Sequence, residues 1–220
     1  MFDAIAARYD FLNHLLSAGL DTRWRKRAIA ALELDGRKTV LDVCTGTADL
    51  ALAAIAARRG ARRVVGIDFS GEMLRIGRAK VAALPIDLIR GDATRIPLTG
   101  GAVDAATIGF GIRNVDRPLD ACREIARVLR PNGKLAILEF SLPRSGILRS
   151  FYLWYFRHVL PVIGRAISGH PTAYTYLPAS VEAFPSPDEF VQQLREAGFG
   201  TVHAVPLTLG VVYVFVAVKD

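Results

Sequence analysis

Short runs of β-branched and aliphatic residues alternate along the chain with longer segments whose apolar side chains recur every three to four positions. KTVLDV (38–43) reads as a strand buried on both faces, because Val40, Leu41 and Val43 leave almost no polar face. A helix follows over Ala48 to Arg58, with LALAAIAA as its apolar body. RVVGIDF is the second strand, and GEMLRIGRAKVAAL is the second helix, with Met73, Leu74, Ile76 and Val81 near helical spacing. IDLIRGD and AVDAATIGF supply the third and fourth strands. PLDACREIARVLRPNG reads as a helix opened by Pro118 and closed by Pro131-Asn132-Gly133, and KLAILEF is the fifth strand. Parallel strands need helical crossovers, so this alternation predicts an α/β chain with a sheet covered on both faces.

The pattern changes near the end. SPDEFVQQLREAGF is a capped helix, and TVHAVPL with GVVYVFVAV forms an antiparallel pair around Thr208-Leu209-Gly210, a mixed edge on the sheet. Two segments stand outside the repeating unit. Residues 1–34 carry a helical stripe of Phe2, Ile5, Tyr9, Leu12 and Leu16, and read as an N-terminal helical cap. Residues 141–187, rich in aromatics and Arg, form a long insertion between the fifth strand and the last helix. Inserts of that length in compact domains commonly serve as lids or binding elements, and the competing reading is a structural helical hairpin.

Composition narrows the class. The 220 residues fit one domain of ordinary globular composition, 51% hydrophobic and 22% charged. Lys and Arg number 28 against 21 Asp and Glu, a net charge of +7 that suits phosphates or anionic lipid without choosing between them. The two cysteines, Cys44 and Cys122, are too few for a disulfide framework, and the four scattered His give no metal-site spacing. No apolar run reaches the ~18 residues of a spanning helix, and the N-terminus carries an early Asp, unlike a secretory signal. The expectation is a cytoplasmic protein.

Candidate chemistry gathers at successive strand ends. The first turn, Asp42-Val43-Cys44-Thr45-Gly46-Thr47-Ala48-Asp49, is built of small residues that let a ligand approach backbone N–H groups. A dinucleotide fingerprint would need glycines at 44, 46 and 49; only Gly46 is present, which argues against NAD and FAD. Asp68 ends the second strand, where a carboxylate can accept both hydroxyls of a ribose, and Asp92, in Arg90-Gly91-Asp92-Ala93, faces the same crevice. Each could be an ordinary turn residue or cap; three together describe a nucleoside site without a pyrophosphate cradle. The fourth strand ends Gly109-Phe110-Gly111-Ile112-Arg113-Asn114, placing a cation and an amide at the mouth of the site, although a structural salt bridge is the commoner fate of an Arg.

These residues carry a resemblance. The chain resembles the S-adenosylmethionine-dependent methyltransferases that C-methylate the ring in menaquinone and ubiquinone biosynthesis, over nearly its whole length. FDAIAARYDFLNHLLSAGLDTRWR resembles the family's N-terminal signature, VLDVCTGTADLAL its cofactor loop, and GIDFSGEML and RGDATRIPL its ribose and adenine segments. IGFGIRNV is the most specific stretch, with VLRPNGKLAILEFSLP and YTYLPASVEAFPSPDEF completing the match.

The resemblance implies a Rossmann-like class I methyltransferase fold: a mostly parallel seven-stranded sheet with an antiparallel C-terminal strand and helical cap insertions. It implies S-adenosylmethionine as methyl donor, bound by Gly46, Thr47, Asp68, Asp92 and Ala93, with Gly109 lining the pocket. It also implies a polyprenylated quinol substrate, demethylmenaquinol first. Arg113 would stabilise a developing phenolate, since guanidinium is a poor base, and Asn114 would orient a water or the ring oxygen. No residue pair supplies an evident base.

Two departures stand out: Ala48 where Gly is usual, tolerated if its φ is negative, and Gly109 where Ser is common. The insertion's aromatic run, Phe151 to Phe156, beside Arg144, Arg149, Arg157 and Arg165 suits peripheral contact with a membrane, and a homodimer is compatible with the reading. The alternatives are methylation of another lipid or small phenol, or of RNA. Against the last, the fourth-strand motif is not the Asn/Asp-Pro-Pro-Tyr type and neither cysteine sits like a base-attacking nucleophile, so no nucleic-acid partner is expected.

Overall fold

The computed structural model describes residues 14, 17, 19–143, 145–154 and 178–220. The apolar stripe from Phe2 to Leu16 therefore lies outside the described residues, as do Arg144, Tyr155, Phe156, Arg157 and Arg165 of the insertion.

The strands are β1 (Thr39–Val43), β2 (Arg63–Asp68), β3 (Ile86–Arg90), β4 (Val103–Gly109), β5 (Leu129–Phe140), β6 (Phe199–Leu207) and β7 (Val212–Lys219). They form one sheet in the order β3-β2-β1-β4-β5-β7-β6. β1 to β5 pair in parallel, and β7 runs antiparallel to both β5 and β6. The chain builds outward from β1 to β3, then returns to the middle and builds the other way from β4. That reversal opens a crevice beyond the carboxyl ends of β1 and β4, the place where open α/β sheets bind ligands.

Helices α1 (Asp21–Ala31), α2 (Asp49–Ala56), α3 (Gly71–Val81) and α4 (Pro118–Val128) are followed by α5 (Gly146–Trp154) and α6 (Pro187–Glu196). They bury both faces of the sheet: Ile125, Phe190 and Leu194 pack with Leu41, Ile108 and Phe215 on one side, and Trp24, Ile29 and Leu50 with Val40 and Leu138 on the other. α4 is shorter than the periodicity predicts. It stops at Val128, because Pro131 disfavours helical backbone at the residue before it, and Leu129 is already extended and paired with Val103. Asn132 turns left-handed at φ 61° before the strand resumes.

Two devices tie the surroundings of the crevice together. Asp21 accepts from Arg25 at 2.8 Å, Arg25 reaches Asp49 at 3.2 Å, and Asp49 meets Lys80 at 2.8 Å, so one chain of charges links α1, α2 and α3. At the β6–β7 turn, Thr208, Leu209 and Gly210 are all left-handed (φ 46°, 58° and 85°). Trp24 Nε1 donates to Thr208 Oγ1 at 2.8 Å, fastening this turn to α1.

Candidate active site

The carboxyl ends of β1 to β4 open into one cavity of about 470 Å³, in the range of small-molecule sites. Its wall includes Gly46, Asp68, Asp92, Ala93, Gly109 and Asn114. Six of the eight residues singled out in the sequence thus converge there. Thr47, within the first turn, is buried and off the wall, and Arg113 is off the wall as well.

The first turn alternates left-handed residues: Cys44 (φ 54°), Gly46 (φ 56°) and Ala48 (φ 70°). A Cβ at Gly46 would meet nothing within 4 Å, so the backbone there faces open space. Ala48 does not have the negative φ that would make it a neutral replacement for Gly; an alanine in this conformation costs roughly 1–2 kcal/mol. Beneath the turn, Asp42 is buried and accepts hydroxyl hydrogens from Thr45 at 2.6 Å and Thr107 at 2.7 Å. Burial pushes its carboxyl up to about 6, against the pull of those two hydrogen bonds.

Asp68 is held at the end of β2 by two backbone donors. Gly46 N donates to one carboxylate oxygen and Ser70 N to the other, both at 2.8 Å. Its successor Phe69 is 73% exposed, with the Arg90 guanidinium 5.8 Å from the ring centre and Arg90 Nε donating to the Phe69 carbonyl at 3.0 Å. Sequence reading missed this flat apolar face, although an aromatic directly after the strand-end carboxylate in GIDFSGEML was its signal. Asp92 accepts from Thr94 N and Thr94 Oγ1, both at 2.8 Å, and these bonds hold its carboxyl below the usual range. At Gly109 a Cβ would lie 3.1 Å from Leu50 Cδ2, so the glycine makes room for the α2 side chain beside it.

Beyond β4 the chain folds back on a buried ion pair. Arg113 Nη1 donates to Glu139 Oε1 at 2.5 Å and to the Phe110 carbonyl at 2.7 Å. The guanidinium-bearing side chain is 8% exposed and Glu139 has no exposed surface. Burial pushes the Glu139 carboxyl up, while the Arg113 charge and the N–H donors from Phe140 and Arg113 pull it down. Arg113 also lies over the Phe140 ring at 5.5 Å. The sequence places a cation at the mouth of the site; the fold turns that side chain inward, toward an acid 26 residues later in the chain. Asn114 is the member of the pair that reaches the wall.

Both cysteines are free, and burial pushes both thiols up, Cys122 to about 12, so neither is a ready nucleophile. Among the described residues no group of His, Cys, Asp and Glu could hold a metal ion, and no helix is long and apolar enough to cross a membrane.

Residues 1–219 match the family described as the ubiE/COQ5 methyltransferase family. A protein of Geobacter sp. (strain M21) named ubiquinone/menaquinone biosynthesis C-methyltransferase UbiE is 45% identical over 223 residues, covering 100% of this chain and 94% of its own. A demethylmenaquinone methyltransferase of Thermus thermophilus is 45% identical over 218 residues, covering 98% of each chain. Among solved structures, the methyltransferase bound to the Haloferax volcanii Trm112 activator aligns with a TM-score of 0.70 at 20% identity, covering 100% of this chain and 98% of its own. A SAM-dependent methyltransferase from Thermotoga maritima aligns at 0.68 with 18% identity, covering 100% and 98%. At such identities these structures establish the fold, a Rossmann-like class I methyltransferase sheet.

Proposed function

Because the chain belongs to the ubiE/COQ5 methyltransferase family, we propose that it uses S-adenosylmethionine to C-methylate the ring of a polyprenylated quinol, demethylmenaquinol in the first instance. The observation that carries this reading is the convergence of Gly46, Asp68, Asp92, Ala93 and Gly109 on one cavity at the switch point of the sheet. The residues fit a nucleoside-bearing cofactor. Open space lies in front of Gly46, two carboxylates stand at neighbouring strand ends, and the Phe69 ring offers an apolar face. Asp68 would accept the ribose hydroxyls, Asp92 and Ala93 would meet the adenine, and Phe69 would cover its plane. Bound there, the cofactor supplies an electrophilic methyl group on a sulfonium.

The protein's own task is to hold a ring carbon in line with that methyl group and to keep water away. Asn114, on the wall, orients the ring oxygen. Arg113 lies one layer behind; a guanidinium is a poor base, and it favours the phenolate by charge rather than by taking a proton.

A polyprenyl tail resides in lipid, so the protein must work at a bilayer surface. Support comes from Arg23, Lys26 and Arg27 on the exposed side of α1, which form no ion pair among the described residues, and from exposed Trp154 and Leu209. The function is tested by incubating the protein with methyl-labelled cofactor and demethylmenaquinol and following the label by mass spectrometry. Label on the quinol ring carbon is expected. Label on RNA or on a tail-less phenol alone would overturn the substrate assignment.

A further inference from the structure

Phe110 is a bulky residue held at φ 55°, a conformation that persists only when its surroundings over-determine it. It lines the cavity, between Gly109 and Gly111. Its carbonyl is where the two residues after the turn converge: Arg113 Nη1 donates to it at 2.7 Å and Asn114 Nδ2 at 3.4 Å. Arg113 is fixed in turn by Glu139, whose carboxylate accepts from Arg113 Nη1, from the Arg113 backbone N–H at 3.4 Å and from the Phe140 N–H at 2.8 Å. Arg113 Nε is buried with no hydrogen-bond partner among the described residues, so the guanidinium is placed at the cost of one donor.

A largely buried ion pair is a poor source of stability, since an apolar pair of equal volume commonly does as well. What this pair does supply is geometry. We infer that Glu139 is a positioning residue for the transfer reaction: it orients Arg113, Arg113 clamps the Phe110 carbonyl, and that clamp sets Asn114 on the wall against which the substrate ring lies. Tyr152 of α5, within the insertion, is buried and lies in the field of both charges. The inference rests on the quinol-methylation reading for its kinetic consequence, and on the fold alone for its structural one.

The experiment therefore reads both. Glu139→Gln keeps the shape and removes the charge. Arg113→Met combined with Glu139→Leu removes both charges at similar volume and guards against a variant that does not fold. Cofactor affinity by calorimetry should stay within about threefold in each, because Asp68 and Asp92 are untouched. The kcat on demethylmenaquinol should fall about 100-fold, the scale of an ångström-sized misplacement, with a smaller change in KM. Glu139→Asp, which retains the charge, should recover part of the loss.

The structural readout uses Trp24, which packs edge-on against Phe110 at 6.1 Å and Phe140 at 6.3 Å. The chain has two tryptophans, so in a Trp154→Phe background Trp24 reports alone. Its near-ultraviolet circular dichroism should weaken in Glu139→Gln and in the double variant while far-ultraviolet ellipticity persists. Unchanged kcat in the folded double variant, or an unchanged Trp24 signal in both, would overturn the inference. An inactive wild type whose Trp24 signal still depends on Glu139 would overturn the substrate reading and leave the positioning of Phe110 standing.

Discussion

Asp42 has almost no exposed surface, and the donors that reach its two oxygens include the hydroxyls of Thr45 and Thr107. Its ordinary value is near 3.8 and its value in the fold is about 6, so folding favours the protonated acid. That stabilisation is complete below the unfolded value and is lost as pH rises through the folded one. Asp42→Asn is neutral at every pH, and its amide can satisfy both threonines. It should therefore come within about 0.6 kcal/mol of wild type at about pH 4 and exceed it by up to about 3 kcal/mol at about pH 7.5 in urea titrations. A constant difference at both pH values would show that Asp42 does not titrate between them. Asp68 differs in that its carboxylate reaches the cavity wall. Asp68→Ala should weaken cofactor binding about 10- to 150-fold, the scale of losing hydrogen bonds to a charged group, and Asp68→Asn less, since one acceptor remains. Calorimetry measures both, and unchanged affinity in the pair would remove Asp68 from the site.

At the scale of elements, the site is made where the turn after β1 meets the turn after β4. A Cβ at Gly111 would lie 2.4 Å from Cys44 Cβ and 3.2 Å from its sulfur. Gly111→Ala should cost about 1–3 kcal/mol as an overpacking substitution. Cys44 is itself left-handed at φ 54°, so Cys44→Gly suits the backbone and removes the clashing atoms. The double variant should recover at least about 1 kcal/mol in thermal denaturation, a coupling that independent sites do not show. Additive losses would mean that the two turns relax separately. These turns also mark what the sequence left illegible. Period and punctuation placed the strands and α2 to α4, because burial of one face is a local pattern. They did not give the sign of φ at Ala48, which depends on how the turn docks on its neighbours. Nor did they give the inward turn of Arg113, which is set by an acid on another strand. The lone acid in KLAILEF was the available signal: a carboxylate in an otherwise apolar strand must find a partner.

For the whole molecule, the proposed quinol substrate, with its polyprenyl tail, would have to reach the cavity from a bilayer. The sequence proposes the surface role for the insertion over residues 141–187, against a structural hairpin; 145–154 and 178–187 of it are described past its first three residues. The described part offers a second candidate outside it. The left-handed turn at Thr208 to Gly210 holds Leu209 79% exposed, and it is fastened to α1 through Trp24. It also lies against the root of the insertion, with Pro143 Cα 3.9 Å from where a Gly210 Cβ would stand. Two strained non-glycine residues that present an apolar side chain to solvent fit a contact made with something outside the chain. α1 brings Arg23, Lys26 and Arg27, and each basic residue near anionic lipid contributes ~1 kcal/mol, less as salt rises. Wild type should sediment with vesicles containing phosphatidylglycerol and much less with pure phosphatidylcholine. Arg23→Ala with Arg27→Ala should weaken partitioning about 10- to 30-fold at low salt, about 2 kcal/mol for two charges, and Leu209→Ser should weaken it in a way salt does not alter. None of these changes touches the cavity, so turnover of a short-tailed quinol in detergent should remain at the wild-type level while turnover of a long-tailed quinol in vesicles falls. Equal partitioning of all variants would return the surface role to the insertion alone, and Trp154→Ala and Arg149→Ala are the changes that would then reveal it.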